Sequence, residues 1–256
     1  MTGTGPLAPI GLDELDATAS LLDRVDRKYV VDEELLDALE RRPPTALREL
    51  EIDGRRDFGY SSVYFDTDDR HLHRLAATGR RRRFKVRTRT YVDSGRCVLE
   101  LKWKTGRGVT IKERHDHVAA DDEIGAEAHR IVVDALRDRV RVDPAVVERL
   151  VPTLRTEYRR RTWLDTSGGS RITCDTDLVC TIPDGSSLRL DGVVIETKSS
   201  GAAGALDRWL WRQGQRPLTF SKYCTALSLI EPTLPANKWH RTVADLHDRL
   251  DVRSAA

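Results

Sequence analysis

The sequence predicts an α+β fold, in which helices surround a large set of antiparallel strands. Strings of residues that alternate between charged and apolar recur along the chain, and this period of two is typical of strands with one buried face. Stretches with apolar residues three or four positions apart lie between and after these strings, as expected for helices. The 256 residues contain no low-complexity linker, so we expect a loose segment at 1–19 and a single domain at 20–256.

The first half of the chain is expected to contain six strands and two short helices. The helix after the first strand ends before Pro43 and Pro44, and residues 93–95 have the composition of a hairpin turn. A second turn is expected at 105–108. The expected strands lie at about 24–31, 47–52, 60–65, 80–91, 97–104 and 109–115, and the expected helices at about 32–41 and 68–77.

The second half is expected to begin with a long helical stretch at 121–150, because its apolar residues share one helical face. These residues are Ile124, Ala128, Ile131, Val132 and Leu136. Three strands and three helices follow. The strands are expected at about 154–164, 171–179 and 188–198, and the helices at about 203–213, 222–230 and 238–252.

Positive charge is local in this chain rather than general. With 43 basic and 41 acidic residues the net charge is only +2, which argues against a protein that coats nucleic acid and favours a discrete anion site. No apolar run reaches the roughly 20 residues of a membrane span, and the first residues do not have the pattern of a signal peptide. The four cysteines form no CxxC pair, so we expect no zinc site, no disulfide frame and a reduced cytoplasmic location.

The segment from Arg80 to Tyr91 carries seven cations and no acid. As a strand it places Arg83, Lys85, Arg87 and Arg89 on one face, and the intervening Phe, Val and Thr side chains on the other. Four like charges on one face repel one another unless an anion lies between them, so the strand predicts a polyanion site. The alternative for any single strand is a solvated face of an antiparallel sheet.

An acid followed two residues later by lysine occurs three times, at Asp26-Arg27-Lys28, Glu100-Leu101-Lys102 and Glu196-Thr197-Lys198. Positions i and i+2 of a strand point the same way, so each carboxylate and its lysine share a face. A carboxylate can hold a divalent cation while the lysine meets a phosphate oxygen. The three units therefore predict a site for a metal–triphosphate complex.

Nine short strings, in order along the chain, resemble the polyphosphate polymerase (VTC) domain, a branch of the triphosphate tunnel metalloenzymes related to CYTH-type triphosphatases. The resemblance covers about residues 20–230 and implies a closed antiparallel β-barrel with flanking helices, whose tunnel binds ATP or another triphosphate, or polyphosphate, with Mn²⁺ or Mg²⁺. The strings are RVDRKYVV (24–31), SVYFDT (62–67), FKVRTRTY (84–91), LELKWK (99–104), GVTIKER (108–114), EYRR (157–160), RITCDTDL (171–178), VIETKS (194–199) and FSKYC (220–224).

The resemblance also implies roles for individual residues. It makes Glu196 the main metal ligand and Glu100 a second acidic lining residue, with Asp175 and Asp177 less firmly placed. The residues implied in catalysis are Arg87, Arg89, Lys102, Arg160 and Glu196. The residues implied in phosphate binding are Lys28, Lys112, Tyr158, Arg171, Lys198, Ser221 and Lys222.

The expected activity is transfer of the γ-phosphoryl group of ATP to a growing polyphosphate chain. CYTH-type triphosphatases carry an ExExK strand near the N-terminus, whereas this chain has Arg24-Val25-Asp26-Arg27-Lys28, and the lost carboxylate favours the VTC branch. A triphosphatase and a non-catalytic polyphosphate- or nucleotide-binding protein are the alternatives. No nucleic-acid partner is expected, because no pair of aromatic residues lies on the basic face. The HxH pairs at 71–73 and 115–117 are expected to be solvated rather than metal-binding.

Overall fold

The computed structural model describes residues 7–18, 25–105 and 109–253, and it confirms the α+β class. The described helices are α1 (Leu12–Thr18), α2 (Glu33–Arg41), α3 (His71–Ala77), α4 (Ala126–Ala135), α5 (Ala205–Arg212), α6 (Lys222–Ile230) and α7 (His240–Leu246). The described strands are β1 (Ala8–Ile10), β2 (Val25–Val31), β3 (Leu47–Leu50), β4 (Phe58–Asp66), β5 (Phe84–Tyr91), β6 (Arg96–Lys104), β7 (Thr110–Asp116), β8 (Val151–Asp165), β9 (Ser170–Thr181), β10 (Ser187–Leu190), β11 (Val193–Ser199) and β12 (Leu250–Arg253).

Most elements lie where the sequence predicts them, although the strand expected at 80–91 begins only at Phe84, and three elements differ in more than their bounds. The strand expected at 188–198 is divided into β10 and β11 at Gly192, whose φ of +139° favours glycine and whose Cβ, if present, would lie 2.7 Å from the carbonyl oxygen of Val31. The helix expected at 121–150 is shorter, because α4 is followed by a π-type turn at Leu136–Val140 and a 3₁₀ turn at Pro144–Arg149. The last expected helix becomes α7, a 3₁₀ turn and β12.

Two expectations concern the ends and turns of the chain. In the segment expected to be loose, the described residues form β1 and α1. The turn expected at 105–108 lies mostly outside the described residues, as does Arg24.

The described residues form two compact units that alternate along the chain. The first contains the described residues up to Phe58 together with Tyr158–Leu178 and Leu190–Thr219. In it β11 pairs antiparallel with both β2 and β9, and β3 pairs antiparallel with β8 but parallel with β1. Its core packs strand residues such as Tyr29, Trp163 and Ile195 against α2 and α5.

The second unit contains Gly59–Glu157, Val179–Arg189 and the described residues from Phe220 onward. There β5 pairs antiparallel with β4 and β6, and β6 pairs antiparallel with β7. The apolar face of β5 and β6 packs against α4, so that Val86 and Val132 are fully buried in one core. The opposite face of these strands is left for the charged residues.

The predicted closed barrel is wrong in one respect: the described strands do not close into a barrel through hydrogen bonds. In the first unit β2 pairs with β11 only, and in the second unit β7 pairs with β6 only. Seven residues form β7, four of which are charged, and charged side chains on an edge strand disfavour pairing with a further strand. The supported description is an antiparallel sheet with flanking helices. Within the described residues no helix is both long enough and apolar enough to cross a membrane.

Candidate functional site

The charged face of β5, β6 and β7 is organised as rows that cross the three strands. The register places Lys85, Lys102 and Lys112 opposite one another in one row. The next row contains Arg87, Glu100 and Arg114. Because facing residues of neighbouring strands are separated by only about 5 Å, each row brings its side chains together. The cationic face predicted from the alternation in β5 is therefore confirmed.

Glu100 is the centre of a cation cluster in the second unit. Its side chain is 2% exposed, and Arg87 Nε donates to Oε2 at 2.7 Å while Arg114 Nε donates to Oε1 at 2.9 Å. Lys112 forms an ion pair with Oε1, and Arg89 Nη1 lies 4.0 Å from the same oxygen. Four cations thus surround one carboxylate, and the cluster keeps a surplus of positive charge.

The pKa values in this cluster reflect that surplus. Burial raises the pKa of Glu100, but the charges of Arg87, Arg89 and Lys112 outweigh burial and hold the pKa well below its usual range. Burial and repulsion from Arg87, Arg89 and Arg114 lower the pKa of Lys112, whereas the ion pair with Glu100 opposes this shift and favours the charged ammonium group. Glu100 is therefore ionised at neutral pH, and the cations around it would gain from a second anion.

Aromatic residues of β4 orient the two predicted arginines. Arg87 Nη1 donates to the hydroxyl of Tyr64 at 2.6 Å and the guanidinium lies 5.4 Å from the same ring, which stacks on Tyr223 at 4.9 Å. Arg89 lies 5.4 Å from the ring of Tyr60. No role was predicted for these tyrosines from the sequence. The signal was available, because Tyr64 belongs to the SVYFDT string and shares a face with Arg87.

Ser221 and Lys222 lie at the start of α6. The Oγ of Ser221 caps this helix by accepting from the backbone N–H of Cys224 at 3.3 Å, and it also accepts from Lys85 Nζ at 2.8 Å. Lys222 Nζ lies 6.0 Å from the ring of Phe220. Thus Lys85 links the cationic strand to the N-terminal end of α6 within the second unit.

Glu196 is the centre of the cluster in the first unit. Lys28 faces it across β2 and β11 and its Nζ lies 3.1 Å from Oε1, while Lys198 Nζ lies 3.9 Å from the same oxygen. Burial raises the pKa of Glu196, but the charges of Lys198, Lys28 and Arg160 outweigh it and hold the pKa below its usual range. The carboxylate is therefore ionised and accessible in part, with its side chain 16% exposed.

Arg160 is positioned by a buried acid. Its Nε and Nη2 donate to the two carboxylate oxygens of Asp175 at 2.6 and 2.8 Å, and its guanidinium lies 5.2 Å from the ring of Tyr158. Bidentate pairing fixes the plane of the guanidinium, so Asp175 orients Arg160. Asp177 instead occupies a backbone position with φ of +53°. Arg171 pairs with Asp16 of α1 at 2.7 Å.

The structure brings the predicted residues together in two groups, one in each unit. Lys28, Glu196 and Lys198 form the first group, and Arg87, Arg89, Glu100 and Lys112 form the second. Lys102 joins the second group through its row. Arg114 was not among the predicted site residues, although it lies in the GVTIKER string and contacts Glu100 directly.

Among the predicted metal ligands, one carboxylate, that of Glu196, is placed so that it could hold a metal ion. Over the ranges that the structure describes, no group of three or more His, Cys, Asp or Glu side chains could hold one. Glu196 has an ionised, partly accessible carboxylate, which suits a cation that takes its remaining ligands from phosphates. The role of Glu100 as a second lining acid stays a prediction, and both of its oxygens contact cations.

One histidine of each HxH pair is buried rather than solvated as expected, whereas His71 and His115 are partly exposed. His73 is fully buried, its Nε2 lies 3.0 Å from Ser228 Oγ, and its ring lies 5.6 Å from that of Trp239. His117 is 8% exposed and its Nε2 contacts the carbonyl oxygen of Ala120 at 3.1 Å. Both have packing roles in the second unit, which the local sequence does not distinguish from solvation.

Buried carboxylates surrounded by cations on the charged faces of antiparallel strands define an α+β protein with cationic clusters. The model of the VTC domain family matches residues 23–230, and the chain belongs to that family. This confirms the resemblance drawn from the ordered strings. A comparison with curated proteins gave no match.

Three solved structures are among those to which the chain is similar. A Hippeastrum protein, HpAC1, described as a candidate adenylyl cyclase with a dominant triphosphatase activity, is 18% identical, with 84% of this chain and 99% of that chain covered and a TM-score of 0.49. A Pyrococcus horikoshii protein is 16% identical, with 82% and 98% covered and a TM-score of 0.45. The S. pombe RNA triphosphatase Pct1 is 9% identical, with 88% and 73% covered and a TM-score of 0.26.

Proposed function

We propose that this protein is a metal-dependent phosphotransferase that acts on triphosphates, and that its reaction is polyphosphate synthesis from ATP. Its membership of the VTC domain family supports this class of reaction. The observation that carries the proposal is the surplus of cations around the buried carboxylates Glu100 and Glu196. Phosphoryl transfer depends mainly on positioning and on neutralising charge, and these clusters supply both.

The proposed step transfers one phosphoryl group between phosphates. The bond between the γ-phosphorus and the β–γ bridging oxygen of ATP breaks, and a terminal oxygen of the polyphosphate chain forms a new bond to that phosphorus. ADP leaves with the bridging oxygen, and the chain is one phosphate longer. The acceptor oxygen is already anionic, so the step needs no general base and no Cys or His nucleophile.

The residues of the chain have the following proposed parts in this step. Arg87, Arg89, Lys102 and Arg160 hold the phosphates at the transferring bond, and Asp175 keeps Arg160 in orientation. Glu196 would hold Mn²⁺ or Mg²⁺, which when bound neutralises charge on the phosphate oxygens. The remaining phosphate-binding residues are Lys28, Lys112, Tyr158, Arg171, Lys198, Ser221 and Lys222.

The test is a gel assay of the purified protein with ATP and Mn²⁺. The proposal predicts chains of increasing length together with one ADP for each phosphate added. Release of orthophosphate without chain growth would identify a triphosphatase instead. Binding of ATP with neither product would identify a nucleotide-binding protein without turnover.

A further inference from the structure

Lysine is used selectively in this chain. Of the basic residues 35 are arginine and only eight are lysine. Five of the lysines belong to the predicted phosphate-binding and catalytic set, and the other three are Lys85, Lys104 and Lys238. The ammonium group is a compact charge with three donors on a flexible stem, and it binds phosphate oxygens, as the arginine fork also does. The three remaining lysines are therefore candidates for a further anion subsite.

The strand register places two of these lysines on the charged face of the second unit. Lys85 lies opposite Lys102, and the backbone N–H of Lys104 donates to the carbonyl oxygen of Arg83 at 3.2 Å, so that Arg83 and Lys104 form the next row. Consecutive rows are two residues apart, or about 6.8 Å along the strands. Across β5, β6 and β7 these two rows contain no acidic residue. The row with Glu100 contains one.

The acid that lies nearest to these rows on β4 is Asp66, and its carboxylate is already satisfied. Asp66 is fully buried and accepts from the backbone N–H groups of Leu72 and His73 at 2.7 and 2.9 Å, and from the hydroxyl of Tyr223. It therefore anchors α3 and α6, and these donors already occupy its oxygens.

Lys238, which precedes α7, contributes to the same positive field. Its pKa is lowered, first by partial burial and then by repulsion from Arg83, Lys104 and Lys85. The packing places Lys238 in the same region, because the ring of its neighbour Trp239 lies 5.6 Å from that of His73, which lies 6.2 Å from that of Tyr223. Lys85 Nζ lies 5.6 Å from the ring of Tyr223. Residues of two strands and of the segment before α7 are thus neighbours in the second unit.

We propose that this lysine patch, formed by Lys85, Lys104 and Lys238 with Arg83, binds phosphates of a polyphosphate chain beyond the three of a triphosphate. The patch continues the Glu100 cluster along β5, β6 and β7 by rows to which these three strands contribute no acid, so an extended polyanion held at the cluster reaches it. The identity of the polyanion rests on the proposed function. The consequence is selection for chain length: long polyphosphate binds more tightly than tripolyphosphate.

A nucleic-acid backbone would also be attracted by charge, but the aromatic residues near the patch are not available for stacking on bases. Tyr64 and Tyr223 stack on each other, and Trp103 is buried in the core on the opposite face of β6. Single-stranded nucleic acids are bound mainly by stacking on exposed aromatic rings together with a basic groove. The patch therefore fits a chain of phosphates without bases.

The test is the dissociation constant of the full chain for tripolyphosphate and for long-chain polyphosphate at one ionic strength without ATP. We expect long chains to bind at least about tenfold more tightly per molecule than tripolyphosphate, since each added lysine contact is charge-assisted. The double variant Lys104→Ala with Lys238→Ala should lose this advantage while its affinity for tripolyphosphate stays within about twofold of wild type.

Two matched controls separate charge at the patch from charge in general. Lys104→Arg with Lys238→Arg keeps the charge at the patch and should keep the preference for long chains. Arg130→Ala with Arg137→Ala removes two positive charges at exposed positions around α4 and should leave the preference unchanged.

Three outcomes would overturn the inference. The first is an equal loss of affinity for both ligands in the alanine double variant. The second is a wild type that shows no length preference or does not bind polyphosphate. The third is an oligonucleotide of the same charge that competes equally tightly. Failure of the proposed function is a separate result: length-dependent binding with no phosphoryl transfer would refute the enzyme activity and leave the patch supported.

Discussion

At the residue scale, Glu100 balances the positive charge of the second unit. It is buried and contacts Arg87, Lys112 and Arg114, with Arg89 close by. A buried acid with so many cationic partners stabilises the empty protein by limiting their repulsion. It also leaves a net positive charge for a ligand. We therefore expect both the stability of the free protein and the proposed affinity for anions to depend on this one side chain.

We expect Glu100→Gln to lower the free energy of unfolding by about 2–4 kcal/mol in the absence of anions, because the cations lose their counter-charge. Tripolyphosphate should restore a larger part of the stability to the variant than it adds to the wild type. Denaturant unfolding with and without tripolyphosphate measures both effects. Glu113→Gln, on β7 and paired with Arg139 at 2.7 Å, is the control and should change little. Unchanged stability of Glu100→Gln would contradict this role.

His73 gives the protein a predictable dependence of stability on pH. Burial lowers its pKa, and repulsion from Lys85 adds to this, while the Cys224 carbonyl, Asp66 and Glu231 oppose it. The unfolded chain binds a proton at His73 below about pH 6.5, whereas the folded chain does so only at lower pH. The contribution of neutral His73 to the free energy of unfolding is therefore fully present above the pKa of histidine in the unfolded chain. It is lost as the pH falls below that value.

The expected loss is up to about 1.4 kcal/mol of unfolding free energy per pH unit below pH 6.5. Urea unfolding of the wild type and of His73→Gln between pH 7.5 and 5 measures it, and the variant should show a shallower slope. His129→Gln replaces a histidine that is 37% exposed and paired with Glu148, and it serves as the control. A slope that is the same in wild type and His73→Gln would show that His73 does not resist protonation in the fold.

At the element scale, α1 lies in the segment that was expected to be loose, and one of its residues forms an ion pair with a predicted phosphate-binding residue. Asp16 pairs with Arg171 at 2.7 Å, and Glu14 pairs with Arg48. A phosphate that binds Arg171 must therefore compete with the Asp16 carboxylate.

Asp16→Asn should raise the affinity for tripolyphosphate by about twofold to fivefold, the range expected for release of an exposed ion pair. Isothermal titration calorimetry measures the change. Glu14→Gln frees Arg48, which is outside the predicted site, and should have no such effect. Weaker binding by Asp16→Asn would instead indicate that the pair holds Arg171 in its binding position.

The same scale shows what the sequence can predict and what it cannot. The alternation of charged and apolar residues identifies β5 and β6 and their charged faces. A strand with one buried face requires an apolar side chain at every second position. The division of the strand at Gly192 depends on the close approach of the Val31 carbonyl, a contact between distant parts of the chain. The pairing of Arg160 with Asp175 depends in the same way on which strands become neighbours. Contacts of this kind leave no local pattern.

At the scale of the whole molecule, family membership and charge distribution agree. The matched region, residues 23–230, includes every residue assigned to catalysis or phosphate binding. Closure of the strands into a hydrogen-bonded barrel was expected from the resemblance, and it fails because edge strands such as β7 pair on one side only. The identity and order of the charged strands could be read from the sequence, whereas their closure could not.

The central claim is that the cations around the buried carboxylates carry out phosphoryl transfer. The most direct measurement is kcat/KM for ATP consumption and chain growth by wild type, Arg89→Ala and Arg159→Ala, with thermal unfolding to confirm that each is folded. Arg159 is exposed and paired with Asp57 at 2.6 Å, so its loss tests charge alone. We predict that Arg89→Ala lowers kcat/KM by at least about 100-fold, as when a donor to a transition-state oxygen is removed, while Arg159→Ala stays near wild type. Full activity of a folded Arg89→Ala variant would contradict the claim.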